Sequence, residues 1–309
     1  MIKTDTLTFP SSDGIHHVAW TLWEPDRPVR AVVQLVHGVA EYIDRYHDLA
    51  CFLAENGLAV AGDDHLGHGR TASDQSELGW FAEENGWKYL VEDEMRLGDI
   101  LRDRFPGVPL ILFGHSMGSF MARTMLIWRP DCCDACILSG TGHQPGPVCL
   151  SGKLIAGREI RRHGSKYRSA KLQKLAFGSY LKRIDDPVGP NDWICADPAV
   201  VRRYDADPWC GYTATAGLMY DMMEGLRIIG ALSSMRQMNK ALPVLFIAGQ
   251  EDPVGNYSKG VRHVAGQFRK AGMQDVTVKL YPDMRHEVLN EREKQTVWTD
   301  VLDWLERKI

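Results

Sequence analysis

The chain has 309 residues, 44% of them hydrophobic and 25% charged, with a formal net charge of −4. That length holds one large α/β domain with an insertion, and a mildly acidic chain gives no global attraction for nucleic acid. No run is apolar for long enough to span a membrane, and Met1 to Asp5 lacks the apolar centre of a secretory signal, so a cytoplasmic protein with its seven cysteines reduced is expected.

Leu7 to Phe9 and Val18 to Trp23 read as strands joined by a turn at Ser11-Ser12-Asp13-Gly14. Ala31 to Val36 is an apolar strand ending in His37-Gly38. Asp44 to Asn56 carries helical spacing at Tyr46, Leu49, Ala50 and Leu53, and Gly57 stops it. Leu58 to Gly62 is a further buried strand, followed by a glycine-rich loop through Gly69. Gly86 to Phe105 is a long amphipathic helix.

The next elements carry the strongest chemical signal. Pro109 to Phe113 reads as a buried strand and Ser119 to Leu126 as a helix, with Gly114-His115-Ser116-Met117-Gly118 between them. A serine flanked by glycines at a strand-to-helix junction has the form of a nucleophile elbow. The turn strains the serine backbone, and side chains at the flanking positions would strike neighbouring backbone, hence the glycines. An ordinary serine in a turn is the plain alternative, and the strand before and the helix after speak against it.

Ala135 to Ser139 is another strand. The three cysteines just before and within it, Cys132, Cys133 and Cys136, lack further ligands at metal-site spacing. Regular alternation then stops until Pro243 to Ala248 and Val276 to Leu280, which are strands, and Asn256 to Lys270 and Glu291 to Arg307, which are helical. Strands alternating with helices imply a mostly parallel sheet covered on both faces. Residues 1–142 and 232–309 are therefore expected to form the core. Residues 143–231, with several short helical pieces and no good buried strand, are expected to form a cap over the carboxyl ends of the strands.

A serine hydroxyl needs a general base, and the base an orienting carboxylate. In chains built around such an elbow the order is Ser, then Asp or Glu, then His. Asp252 follows the strand at 243–248, and Asp252-Pro253 suits a tight turn that fixes the carboxylate; Glu251 is the rival. His286 lies in the loop after the strand at 276–281, whereas His263 falls inside a helix. Two backbone N–H groups must also meet the oxygen that turns negative, and Met117 and Val39 are placed to supply them. No cofactor is needed.

His37-Gly38-Val39-Ala40-Glu41 with Arg45-Tyr46 resembles the HGxxE…RY signature of the monoacylglycerol lipase and lysophospholipase branch of the α/β-hydrolases. Asp64-His65-Leu66-Gly67-His68-Gly69-Arg70-Thr71 resembles that branch's D-x-x-G-H-G-x-[ST] loop. The elbow and Arg285-His286-Glu287 are similar to its other motifs, while Ser119 departs from the glycine many members carry there. The resemblance implies an α/β-hydrolase fold with about eight strands, a mainly helical cap and esterase activity on a lipid with one acyl chain. His65 and His68 read as structural, with no carboxylate–His ligand set around them. Glu41 and Arg45 are spaced to pair across a helical turn and are given no catalytic role.

The early cap is basic: Lys153, Arg158, Arg161, Arg162, Lys166, Arg168, Lys171, Lys174, Lys182 and Arg183 face a single acid, Glu159. Either this is a solvated face, or it draws the cap toward an anionic membrane or headgroup. Leu154, Ile155, Phe177 and Leu181, and a second set at Leu218, Met219 and Met222, suit either core packing or an acyl-binding wall. An amidase or aminopeptidase, which needs an acidic subsite, is the competing enzyme reading, and a non-catalytic ligand-binding relative the competing class.

Overall fold

A computed structural model describes all 309 residues. Its eight strands are β1 (Ile2–Pro10), β2 (His17–Pro25), β3 (Ala31–Val36), β4 (Leu58–Asp63), β5 (Leu110–His115), β6 (Ala135–Ser139), β7 (Val244–Gly249) and β8 (Val276–Tyr281). They form one sheet in the order β1-β2-β4-β3-β5-β6-β7-β8. β2 runs antiparallel to both β1 and β4, and every other pairing is parallel. The sheet is thus mixed, with its antiparallel strands at one edge.

The central strands β3 to β7 are buried along their whole length and largely apolar, because both faces are covered. Leu112 and Phe246 face one layer and their neighbours Phe113 and Ile247 the other. The second layer is built on α1 (His47–Glu55) and on the helix near the carboxyl terminus, Lys294–Glu306. The first rests on α2 (Gly86–Arg104) and α3 (Met117–Trp128). α3 is buried on every side from Met117 to Ile127, so the helix that follows the elbow is fixed from all directions.

Between β6 and β7 the chain is helical only: α4 (Gly146–His163), α5 (Ala170–Phe177), α6 (Pro198–Ala206), α7 (Ala216–Gly230) and α8 (Leu232–Met235). α4 and α7 lie against each other, and α7 sinks into the core layer beside α3. The Trp87 ring at the start of α2 fills the space a side chain at Gly225 of α7 would need. Arg123 of α3, fully buried, donates to the Gly142 carbonyl at 2.9 Å and the Ile229 carbonyl at 3.1 Å, where the chain leaves and re-enters the core. After β7 come α9 (Lys259–Lys270) and, past β8, α10, the Lys294–Glu306 helix.

Helix starts differ from the sequence reading: the helix expected from Glu291 begins at Lys294, and the one expected from Ser119 begins at Met117. The helix expected from Asp44 begins at His47, after a tight 3-10 turn over Ile43–Tyr46. The helix expected from Asn256 begins at Lys259, because Asn256, Tyr257 and Ser258 hold φ of 47°, 54° and 73°, a left-handed conformation that cannot continue into a right-handed helix. All seven cysteines are unpaired.

Candidate active site

Ser116 stands between the end of β5 and the start of α3 at φ 52°, ψ −119°, a conformation costly for a residue with a side chain. The glycines on either side permit it. A Cβ at Gly114 would overlap the Gly118 carbonyl oxygen, and one at Gly118 would overlap the Val36 carbonyl oxygen of β3. Ser116 is 8% exposed and borders a cavity of about 460 Å³ that also reaches His286 and Val39. That volume falls within the roughly 300–1,000 Å³ of small-molecule sites.

His286 follows β8 and Asp252 follows β7, both at the carboxyl edge of the sheet. The two loops are stitched together, with Gln250 N–H donating to Tyr281 O and Glu251 N–H to Met284 O. His286 Nδ1 lies 3.0 Å from Oδ2 of Asp252, which is fully buried, whereas Glu251 is exposed. Burial alone would push the His286 imidazole down, but the Asp252 carboxylate outweighs it and holds it above its ordinary value. The ring sits between His115, 4.7 Å away, and Trp193, 5.1 Å away. His115 is driven well below its ordinary value by burial and by His286, so it stays neutral.

The loop after β3 is tied at almost every polar group. Gly38 N–H donates to Glu41 Oε1 at 2.6 Å, and His37 Nδ1 meets the Gly38 carbonyl at 2.7 Å. Ala40 N–H donates to His68 Nε2 at 3.3 Å. The Ala40 carbonyl accepts from the Tyr204 hydroxyl at 2.9 Å and from Gly211 N–H at 3.0 Å. Val39 lies between these anchored residues, against the cavity. Met117 opens α3, so its N–H has no acceptor within the helix.

Behind this loop three buried histidines pack together, with the His37 and His65 rings stacked at 3.7 Å. His65 N–H donates to His37 Nε2, and His65 Nε2 reaches the His37 carbonyl at 3.1 Å. Burial holds His68 at about 3 and His37 well below its ordinary value, so both are neutral hydrogen-bonding struts.

A family profile described as "Serine aminopeptidase, S33" matches residues 27–293. The chain belongs to that family. It is similar to the monoacylglycerol lipase of Mycolicibacterium smegmatis, at 32% identity over 96% of this chain and 95% of that protein. It is also similar to the human monoglyceride lipase, at 27% identity over 93% of this chain and 86% of the relative. Among solved structures it superposes on a thermostable carboxyl esterase from Bacillus coagulans in complex with glycerol. There the TM-score is 0.92 and the identity 30%, over 100% of this chain and 99% of the other. The chain is therefore a hydrolase of the α/β-hydrolase fold, as its motifs implied.

For this S33-family chain, Ser116, Asp252, His286, Val39 and Met117 come together at one sheet edge. Five of the expected lining residues, Leu154, Ile155, Leu218, Met219 and Met222, do not border the cavity. Leu154 is 68% exposed on the outer side of α4, and Ile155 is half-buried beside the core layer. Leu218, Met219 and Met222 are buried in that layer, because α7 turns its apolar stripe toward α3. The walls come instead from Phe177, Leu181, Pro190, Trp193 and Ile194, with Tyr204 and Tyr212 opposite. Of these only Phe177 and Leu181 stood among the apolar candidates. The others lie mostly outside helical periodicity, where sequence carries no signal of facing.

One further correction and one addition concern charge. His65 does have carboxylate neighbours: Asp63 Oδ1 at 2.9 Å and Glu94 Oε1 at 3.2 Å from its Nδ1, all buried. Burial, reinforced by Asp63, holds the Glu94 carboxyl well above the usual range, so Glu94 is the protonated member of the pair. Arg45 pairs with Glu41 at 2.5 Å as expected, and it also takes Glu287, the residue after His286, through two bonds of 2.8 and 2.7 Å.

Proposed function

We propose that the chain hydrolyses esters of a single acyl chain, such as monoacylglycerols or lysophospholipids, through an acyl-enzyme on Ser116. The observation that carries this reading is the pairing of buried Asp252 with His286, 3.0 Å apart, in the same cavity as a strained, accessible Ser116. Ser116 Oγ attacks the ester carbonyl carbon while His286 Nε2 takes its proton. The carbonyl oxygen, now negative, is held by the Val39 and Met117 N–H groups. Collapse expels the alcohol, which takes the proton from His286. Water then adds to the acyl carbon, giving a proton to His286, and the fatty acid leaves as Ser116 regains its own.

The names of similar lipases and of an esterase favour an ester over an amide. The cavity does too. Its only acidic lining residues, Glu41 and Glu287, are both gripped by Arg45, while Arg168 and Lys174 on the same lining are cationic. An aminopeptidase subsite must attract a substrate ammonium, and this lining would repel one.

Residues 143–231 act as the cap in this reading. No helix is long and apolar enough to cross a membrane. Val148, Leu150, Leu154 and Leu175 are nonetheless exposed on α4 and α5, beside the exposed cations Arg158, Arg161, Arg162 and Lys171. That combination suits peripheral contact with an anionic bilayer. Part of the basic stretch serves the fold instead: Lys153 pairs with Glu224 and Lys166 with Glu77.

The test is covalent labelling by a fluorophosphonate with a hydrolysis panel of monoacylglycerol, lysophospholipid, short nitrophenyl esters and aminoacyl amides. Labelling lost in Ser116→Ala and turnover of the acyl lipids support the reading. An unlabelled wild type, or a strong preference for the amides, would overturn it. Added salt should slow hydrolysis of anionic vesicles and leave a soluble short ester unaffected.

A further inference from the structure

One stretch of the helical insertion, residues 192–211, touches both halves of the reaction machinery. At its start it braces the histidine loop. Arg285 Nη1 donates to the Asp192 carbonyl at 2.6 Å and to the Cys195 carbonyl at 3.1 Å, and Glu287 N–H donates to the Ile194 carbonyl at 2.6 Å. At its end it braces the loop after β3, where the Tyr204 hydroxyl and Gly211 N–H converge on the Ala40 carbonyl.

Ala40 is the informative partner. It holds φ 57°, a left-handed backbone for a residue with a Cβ. Such a conformation persists only where its surroundings over-determine it. On the core side Ala40 N–H reaches His68 across 3.3 Å, a long bond. The short, well-placed restraints come from Tyr204 and Gly211. Without them Ala40 can relax toward an ordinary φ, turning the adjoining peptides and with them the N–H of Val39.

We propose that Tyr204 is a positioning residue that holds the oxyanion loop in its working shape, so the hole is complete only while the 192–211 stretch is docked. The proposal rests on the esterase reading and on the role of Val39 in it. The Tyr204 ring is independently fixed, lying 4.8 Å beneath the Arg45 guanidinium, so removing the hydroxyl alone leaves the packing in place.

The test is Tyr204→Phe in the full chain, assayed on a short soluble nitrophenyl ester, with rates normalised to the fluorophosphonate-reactive fraction so that unfolded protein does not count. A small misplacement of a transition-state contact lowers kcat by about tenfold and leaves KM within about twofold. A trifluoromethyl ketone, whose adduct places an oxyanion in the hole, should bind more weakly by a similar factor. Adding Ala40→Gly to Tyr204→Phe should recover most of the lost kcat, because glycine adopts this φ without strain. Unchanged kcat, a rise in KM alone, or a loss that Ala40→Gly does not soften would overturn the proposal. Ser116→Ala separates the two levels. Full activity there defeats the esterase reading itself, whereas an inactive Ser116→Ala beside a fully active Tyr204→Phe defeats only the clamp.

Discussion

Arg45 grips Glu287 with both arms of its guanidinium across 242 residues of sequence, and the same nitrogen that meets Glu287 Oε1 also meets Glu41. Glu41 in turn accepts from Gly38 N–H and the Tyr46 hydroxyl. One buried cation thus joins the loop that carries Val39 to the loop that carries His286. Their separation is set by a planar fork rather than by flexible chain. Burial by itself would lower the Arg45 charge state, but the two carboxylates hold it well above its ordinary value.

Arg45→Ala should therefore cost both stability and activity. It leaves two buried carboxyls facing each other, and breaking a buried pair typically costs about 3–5 kcal/mol. Arg45→Lys keeps the charge and loses the fork, so it should recover part of the stability and little of kcat. Thermal unfolding and kcat on a short ester, measured together, check this; wild-type values for Arg45→Lys would show that charge alone suffices.

The proposed mechanism needs neutral His286, whose imidazole is raised above its ordinary value by Asp252. Activity should rise with pH through a midpoint above about 6.5. For stability the sign is the opposite. A group raised on folding stabilises fully below its unfolded value, and that contribution fades as pH rises through the folded value. In Asp252→Asn burial is opposed only by the weaker pull of Glu287 and Glu41, so the activity midpoint should move down while kcat falls about 10³–10⁴-fold. A pH–rate profile of both proteins, with the midpoint unmoved in Asp252→Asn, would refute the assignment of Asp252.

The contrast between Asp252 and Arg45 shows what the sequence made legible. Asp252, His286 and Ser116 each follow a strand that announces itself by apolar content, and fold topology alone brings strand ends to one edge. Glu287 has no such marker as the partner of Arg45, since the pairing depends on how two loops approach in space. The lining failed for another reason. Met219 and Met222 carry a helical stripe that is apolar whichever way it faces, and only packing against α3 decides that it faces the core. Trp193 lines the cavity from a turn, where no period exists to read, whereas Tyr204 does so from the short helix α6, on the buried face it shares with Val200 and Val201.

Asp221 of α7 gives a second pH dependence. Its carboxylate rests against Gly86, at the start of α2, beside Lys153 and Glu224. Burial pushes it up to about 7, against the pull of Lys153 and the Trp87 N–H. Its folded value is therefore raised, and the stability it lends is present at low pH and lost as pH rises through about 7, at no more than about 1.4 kcal/mol per pH unit. Wild type should lose melting temperature between about pH 6 and pH 8 faster than Asp221→Asn. Parallel curves for the two proteins would count against Asp221 as the titrating group.

The cavity walls make the last prediction, one that separates chain recognition from surface contact. Phe177 and Leu181 face the space beside Ser116, whereas Leu154 points outward from α4. Removing either wall side chain takes away apolar area worth about 1.5–3 kcal/mol when fully covered by a ligand. Phe177→Ala and Leu181→Ala should therefore raise KM for a long-chain monoacylglycerol by about tenfold or more and change a butyrate ester little. Leu154→Asp should leave both substrates at wild-type rates, because the change lies outside the cavity, while weakening binding to anionic vesicles through lost insertion and added like charge. Long-chain KM raised in Leu154→Asp and unaltered in Phe177→Ala would place the acyl chain on the outer face of α4 and overturn this assignment of the walls.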